Sequence, residues 1–249
     1  MSKKHIMGSV LIGCLTTASV TQADTIGLYL SASAWSPDIT GTIDNTGPQI
    51  DLVDTLGYDE EDAQRLSLRL EHPIPVLPNI GLERYDLDSS SVATLTETIL
   101  YDGTLYNIDD TVSSQLDLSH QSVLLYYEIL DNWVNLDIGL DIMLFDGSIA
   151  LESSTDSNMT DLDETIPALY AMFEFDFPLT GLTAGAAVSY IGYDDNDITK
   201  SRLFVAYESD IGLGLEIGMQ AFDAQWEDIN LSNGDISFDG FYSSVTFHF

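Results

Sequence analysis

Catalysis by a side chain needs an imidazole, a thiolate or a tuned carboxylate held against a partner group. The chain has 249 residues but only 4 His and 1 Cys, so few positions qualify. His5 and Cys14 fall within the first 23 residues, which read as a removable segment. His72 and His248 fall where strand-like stretches meet short turns or the chain end. His120 alone is expected on the opposite side, near Asp117 and Ser119. A hydrolase would rest on that one imidazole with no Asp/His group facing it. No catalytic residue is therefore assigned, and the chain reads as a non-enzyme.

Carboxylates are abundant: 41 Asp+Glu stand against 7 Lys+Arg, for a formal net charge of −34. Clusters at Asp59-Glu60-Glu61-Asp62, at Asp194-Asp195-Asn196-Asp197 and at Asp156, Asn158, Asp161 and Asp163 offer the oxygen ligands that Ca²⁺ prefers. None has the spacing or the turn glycine of an EF-hand. They read as solvated acidic loops that attract divalent cations diffusely, with no metal site and no cofactor assigned. The same imbalance excludes nucleic-acid binding by phosphate neutralisation, which needs a Lys/Arg stripe. With 45% hydrophobic residues, the chain is not an acidic disordered protein either.

A second set of charges lies inside alternating runs. Val134, Leu136, Ile138, Leu140, Ile142 and Leu144 share one face of a strand-like stretch, with Asn135, Asp137, Gly139 and Asp141 on the other. The same period of two recurs at Leu66/Leu68/Leu70, Leu169/Phe173/Phe175 and Leu213/Leu215/Ile217. Runs of about ten residues in this pattern are the signature of a membrane-spanning β-barrel. Arg65, Arg69 and Arg202 then point inward, as do Glu71, Glu128, Asp137, Asp141, Glu174, Glu208 and Glu216. These predict ion pairs in a narrow lumen. Arg84 breaks the parity of Ile80 and Leu82. An outward charge at mid-bilayer would cost ~2–4 kcal/mol. A bulge near Glu83 is therefore expected, turning Arg84 and Asp86 inward and Tyr85 and Leu87 outward.

The elements that must hold these groups number about ten, at residues 25–35, 63–72, 80–87, 118–130, 134–146, 165–177, 182–192, 200–208, 213–226 and 239–249, with eight or twelve as alternatives. Links alternate between short (73–79, 131–133, 178–181, 209–212) and long (36–62, 88–117, 147–164, 193–199, 227–238). That asymmetry distinguishes an outer-membrane barrel from a soluble sandwich. The long links hold most of the acids and no Lys or Arg. An Asp102-Gly103 turn is expected to tip a hairpin extending the third and fourth strands.

The N-terminus fits export. Lys3 and Lys4 precede an uncharged stretch to Ala23, shorter in its apolar core than the ~20 residues that span a bilayer. The expectation is a signal peptide at 1–23 and a barrel at 24–249. A membrane-anchoring helix and a lipobox-like Leu11-Ile12-Gly13-Cys14 are the competing readings.

Two stretches carry resemblances. Phe241, Val245, Phe247 and the terminal Phe249 share one face, which resembles the C-terminal β-signal read by the outer-membrane barrel assembly machinery. The hairpin from Tyr126 to Leu140, with Phe145-Asp146-Gly147, resembles a proteobacterial outer-membrane β-barrel family associated with species carrying the GlyGly-CTERM sorting system. The segment His72 to Ile80 fits that family's first periplasmic turn. The resemblance implies an all-β, antiparallel up-and-down transmembrane barrel in the outer membrane of Gram-negative bacteria, with lipid and lipopolysaccharide as partners. It implies no activity. The leading reading is a structural or surface-interaction barrel, followed by a narrow cation-selective channel and then a barrel hydrolase.

Overall fold

The structure, a computed structural model, describes residues 26–194, 196–229 and 231–249. The expected signal segment 1–23, with His5 and Cys14, lies outside the described residues, as does Asp195. Among the described residues all regular structure is β, and no helix is long and apolar enough to cross a membrane.

Ten strands pair antiparallel in chain order and close into a barrel. They are β1 (Gly27–Asn45), β2 (Ala63–Glu71), β3 (Asn79–Asp86), β4 (His120–Leu130) and β5 (Val134–Phe145). Then come β6 (Thr165–Phe177), β7 (Leu182–Tyr193), β8 (Asn196–Glu208), β9 (Leu213–Ile229) and β10 (Ser232–His248). The ladder between β10 and β1, from Tyr29↔His248 to Asn45↔Ser232, leaves no open edge. Four short turns, at 72–78, 131–133, 178–181 and 209–212, share one end with the start of β1 and the end of β10. Phe249 N–H donates to the Leu28 carbonyl there, at 3.1 Å.

The other end departs from expectation, because the strands continue past the belt. β1 runs to Asn45, and β9 and β10 extend to Ile229 and Ser232, so the expected long links at 193–199 and 227–238 belong mostly to strands. The links after β3 and β5 are also folded. Strands Asp88–Thr94, Thr111–Asp117, Gly147–Glu152 and Ser157–Leu162 form a second sheet, continuing β3, β4, β5 and β6 in the same lateral order. Between the first two of these strands, Asp88–Thr94 and Thr111–Asp117, a hairpin, Ile99–Tyr101 with Thr104–Tyr106, folds back over the mouth. Its tip is Asp102-Gly103, with φ of 46° and 74°, the left-handed pair that a two-residue hairpin turn demands.

Along the strands, residues alternate in and out without interruption while their chemistry changes with height. On β9, Leu215, Ile217 and Met219 face out and Glu216 faces in. Six residues above Glu216 the pattern reverses: Phe222, Ala224 and Trp226 face in, while the exposed Gln225 and Glu227 face out. β1 does the same, with Leu30 and Ala32 out below and Trp35, Ile39 and Ile43 buried above, beneath an outer face of Ser36, Asp38 and Thr40. The apolar outer belt matches a barrel solvated by lipid. Above the belt water is the solvent, so apolar residues turn inward and make an ordinary core.

The bulge expected near Glu83 is absent: β3 pairs with β2 and β4 in unbroken register. Arg84 therefore faces outward, while Glu83, Tyr85 and Leu87 are buried inside and Asp86 is exposed. The reason lies in the neighbours. Arg84 stands between Gln121 on β4 and Leu66 on β2, one step below the outward-facing pair Gln64 and Asp86. This level is the upper edge of the belt, where an outward Arg costs only ~0–1 kcal/mol.

Candidate functional site: the charged lumen and its cap

Strand parity gathers four cations and three carboxylates at one height inside the barrel. β2 supplies Arg65 and Arg69, β3 Glu83, β5 Asp141, β8 Lys200 and Arg202, and β9 Glu216. Glu83 sits at the centre, with Arg65 at 3.4 Å, Arg69 at 3.8 Å and Lys200 at 4.0 Å. Lys200 also meets Asp141 at 2.7 Å. Glu216 holds Arg202 at 3.1 Å and Arg65 at 3.6 Å.

Hydroxyls complete the shell. Tyr85 donates to Glu83 at 3.2 Å, Tyr242 to Glu216 at 2.6 Å and Ser189 to Asp141 at 2.7 Å. Lys200 donates to Ser122 at 2.7 Å, Arg65 to Ser33 at 3.2 Å and Arg69 to Tyr170 at 3.0 Å. Arg65 and Asp141 are 1% and 0% exposed, and the layer spans the lumen around a gap of only about 30 Å³. Burying charge is tolerated only with extensive pairing, and here Arg65 Nε and Asp141 Oδ1 alone among the layer's fully buried charged-group atoms lack a hydrogen-bond partner in the described residues.

Below the layer, a cavity of about 930 Å³ opens at the short-turn end. Glu71, Glu128, Asp137, Glu174 and Glu208 line it, over a floor containing Arg69 and Arg202. Glu71 accepts from Tyr126 at 3.1 Å, and Glu128 accepts from Asn79 at 2.9 Å. Glu208 sits at the rim beside His248, 3.5 Å away and half exposed. Thus Arg65, Arg69, Arg202, Asp141 and Glu216 belong to the ion-pair layer, and the other expected acids form a vestibule beneath it. Arg84 joins neither. Phe241, Val245, Phe247 and Phe249 all face the belt's outer surface.

Lys200 and Glu83, both central here, were not among the expected site residues. Lys200 shares the parity of Arg202 two residues away, which was signal enough. Glu83 was obscured by the supposed bulge.

Above the layer, an aromatic stack fills the lumen. His120 is 3% exposed, lies parallel to Tyr85 at 4.7 Å between ring centroids, and touches Phe145 and Phe222. Its Nδ1 lies 3.0 Å from the Leu118 carbonyl. An imidazole so enclosed cannot meet a substrate at the rim. Higher still, the folded-back hairpin closes the mouth. Asp102 N–H donates to Asn45 on β1 at 3.0 Å, while the Tyr101 hydroxyl donates to Thr160 at 3.0 Å and the Tyr106 hydroxyl to the Leu151 carbonyl at 2.9 Å. The hairpin thus bridges opposite walls. Burial pushes the Tyr58 and Tyr101 hydroxyls up to about 12 each, so both stay neutral and Tyr101 remains a donor to Thr160.

Of the acidic clusters considered for Ca²⁺, the one at Asp194–Asp197 includes Asp195, outside the described residues, and the one around Asn158 is tied into the cap. Asn158 is engaged by the Tyr106 hydroxyl at 2.7 Å, and its amide donates to Asp102 at 3.3 Å. Among the described residues no group of three or more His, Cys, Asp or Glu could hold a metal ion.

No protein-family model matches this chain, and no curated protein sequence matches it. Among solved structures, it is similar to the outer-membrane protease OmpT of Escherichia coli, with a TM-score of 0.53 and 9% identity over 94% of this chain and 100% of that one. Ail, the attachment invasion locus protein of Yersinia pestis, aligns at a TM-score of 0.38 and 10% identity, covering 89% of this chain and 99% of that one. A FadL homologue of Pseudomonas aeruginosa aligns at 0.36 and 10%, covering 90% of each. The likeness to OmpT shows the fold, an outer-membrane transmembrane β-barrel of the Gram-negative kind, and carries no activity with it.

Proposed function

We propose that this chain is an integral outer-membrane protein whose working part is the folded β extension outside the cell, with a barrel that anchors rather than conducts. The observation that supports this best is the reversal of interior chemistry with height. A buried ion-pair layer fills the lumen within the belt, and a water-type apolar core capped by a hairpin fills it above. Each level opposes passage of solutes through the lumen. Export by a cleaved signal peptide at 1–23 and assembly through the Phe249 end belong to this reading, as does kinship with the family of GlyGly-CTERM species. So does association of the acidic outer face with lipopolysaccharide through divalent cations, since Asp38, Asp235 and Asp239 share that face with no Lys or Arg.

A narrow cation-selective channel is the second reading, and the acidic vestibule is what favours it. It would require the layer around Glu83 to part.

Surface presentation is tested by labelling intact cells with a membrane-impermeant maleimide. Leu105→Cys, in the exposed arm of the cap, is expected to react on intact cells. Ile211→Cys, in a short turn, is expected to react only after lysis. The opposite pattern, or recovery in the soluble periplasmic fraction, would overturn the proposal.

A further inference from the structure

The extension above the belt has two seams where its two sheets meet, and they are finished differently. On one side the chain fills the seam itself. Segment 52–62 inserts Leu52, Leu56 and Tyr58 into the core and ties both walls. Leu52 N–H donates to Gly41 and Glu61 N–H to Pro37, both on β1 and both at 3.0 Å, while Ser91 donates to the Gly57 carbonyl at 2.8 Å.

On the other side the wall is unzipped. β6 and β7 pair only from Leu169↔Tyr190 downward. Above that point, residues 165–168 of β6 pair with β5 alone, and 191–193 of β7 with β8 alone. Pro167 sits in the unpaired stretch and has no N–H with which to rebuild the ladder. Strand Ser157–Leu162 above it is likewise the outer strand of its sheet.

Behind this seam lies a cavity of about 340 Å³, within the ~300–1,000 Å³ usual for small-molecule sites. Leu162, Ile166, Ile191, Ile198 and Trp226 make its apolar wall. Glu164, Asp197 and the outward-facing Glu227 edge its opening, and no Lys or Arg lines it. Trp226 is 6% exposed, and its indole N–H has no acceptor among the described residues. The indole N–H of Trp35 on the closed side is unpaired too, so what distinguishes Trp226 is its place on a cavity wall.

We propose that this lateral cavity binds a cationic amphiphile, a molecule with one apolar chain or ring and an amine head. The apolar body packs against the Ile191 and Trp226 walls, and the head meets Glu164, Asp197 and Glu227. The opening stands directly above Leu169 and Tyr190, the top of the belt on this side, so the ligand enters sideways from the outer leaflet. Carboxylate and phosphate heads are repelled by the same three acids.

The test uses the refolded full chain in zwitterionic nanodiscs, with tryptophan fluorescence as the readout. Three brominated quenchers share a twelve-carbon chain and differ in the head: ammonium, maltoside and carboxylate. Trp226→Phe identifies the signal from the cavity. Saturable quenching by the ammonium probe is expected, at least tenfold tighter than by the carboxylate. Glu164→Gln with Glu227→Gln should remove that preference, and Ala224→Leu or Ile191→Phe, filling the cavity, should abolish saturation. Heat-modifiable gel migration reports that each variant is folded. Absent or non-saturating quenching, or quenching indifferent to head group and to filling, would overturn the proposal.

Discussion

Two heights of the same ten strands solve the same problem in opposite ways. At the level of Glu83 the interior is polar, and seven charged side chains neutralise one another. At the level of Phe238 and Trp35 the interior is apolar and holds together as a soluble domain would. The alternation of the strands is continuous through both, so geometry does not distinguish them. The outside solvent does. In lipid, exposed Leu and Phe are the favourable choice and polar groups retreat inward. In water the choice reverses. The interior of this barrel is therefore a record of where the bilayer ends.

The comparison predicts different responses to damage. Lys200→Met strands Asp141 without its cation in a site from which water is excluded, and should cost about 3–5 kcal/mol. Adding Asp141→Asn should return most of that loss, because the penalty belongs to the unpaired charge. Phe238→Ala should cost a similar ~3–5 kcal/mol through its cavity, with no polar second change able to rescue it. Urea unfolding in micelles measures all three variants. Equal rescue in both regions, or in neither, would break the distinction.

A smaller effect separates the regions by pH. Tyr58 and Tyr101 ionise near 12 when folded and near the ordinary value of 10 when unfolded. The folded state thus holds its protons longer, and this contribution to stability, complete below pH 10, is lost as pH rises towards 12. Tyr101→Phe should flatten that decline, at a cost of about 0.5–1.5 kcal/mol at neutral pH for the lost bond to Thr160. Accessibility of the cap to protease, followed between pH 9 and 12, checks it.

The belt's upper edge can be located with Arg84. Arg84→Leu should change stability by no more than ~1 kcal/mol, whereas a mid-bilayer position would gain ~2–4 kcal/mol. The smallest effect lies on the outer face above the edge. Asp38 and Asp239 stand directly opposite each other on β1 and β10. Asp239→Asn should stabilise by about 0.2–1 kcal/mol at low salt and by nothing measurable at 1 M, where screening removes the repulsion. Thermal shift at two salt concentrations measures it.

What was legible in the sequence follows the same divide. Alternation against Leu and Phe stripes placed ten strands and the short turns at 131–133, 178–181 and 209–212 where the structure has them. Parity alone put Arg65, Arg69 and Arg202 on the inner face. Legibility failed at the upper edge, because the period of two is identical on both sides of it. Stretches such as Ser36 to Asn45 and Ser232 to Phe238 alternate with inverted chemistry, which in sequence is indistinguishable from acidic loop. The Arg84 error has the same origin. Leu66 on one side and Gln121 on the other, neighbours visible only once register is known, mark the edge of the belt at that height. The second sheet and the folded-back cap depend on pairings between segments tens of residues apart, which local pattern does not encode. The Asp102-Gly103 turn was readable, but the direction in which its hairpin folds was not.

The central claim is that the lumen is closed at two successive levels, so the barrel anchors an external domain. Single-channel recording of the refolded chain in planar bilayers tests this most directly. A closed lumen leaves the membrane silent at both polarities, with insertion verified by heat-modifiable migration of the recovered protein. Reproducible cation-selective steps would contradict it.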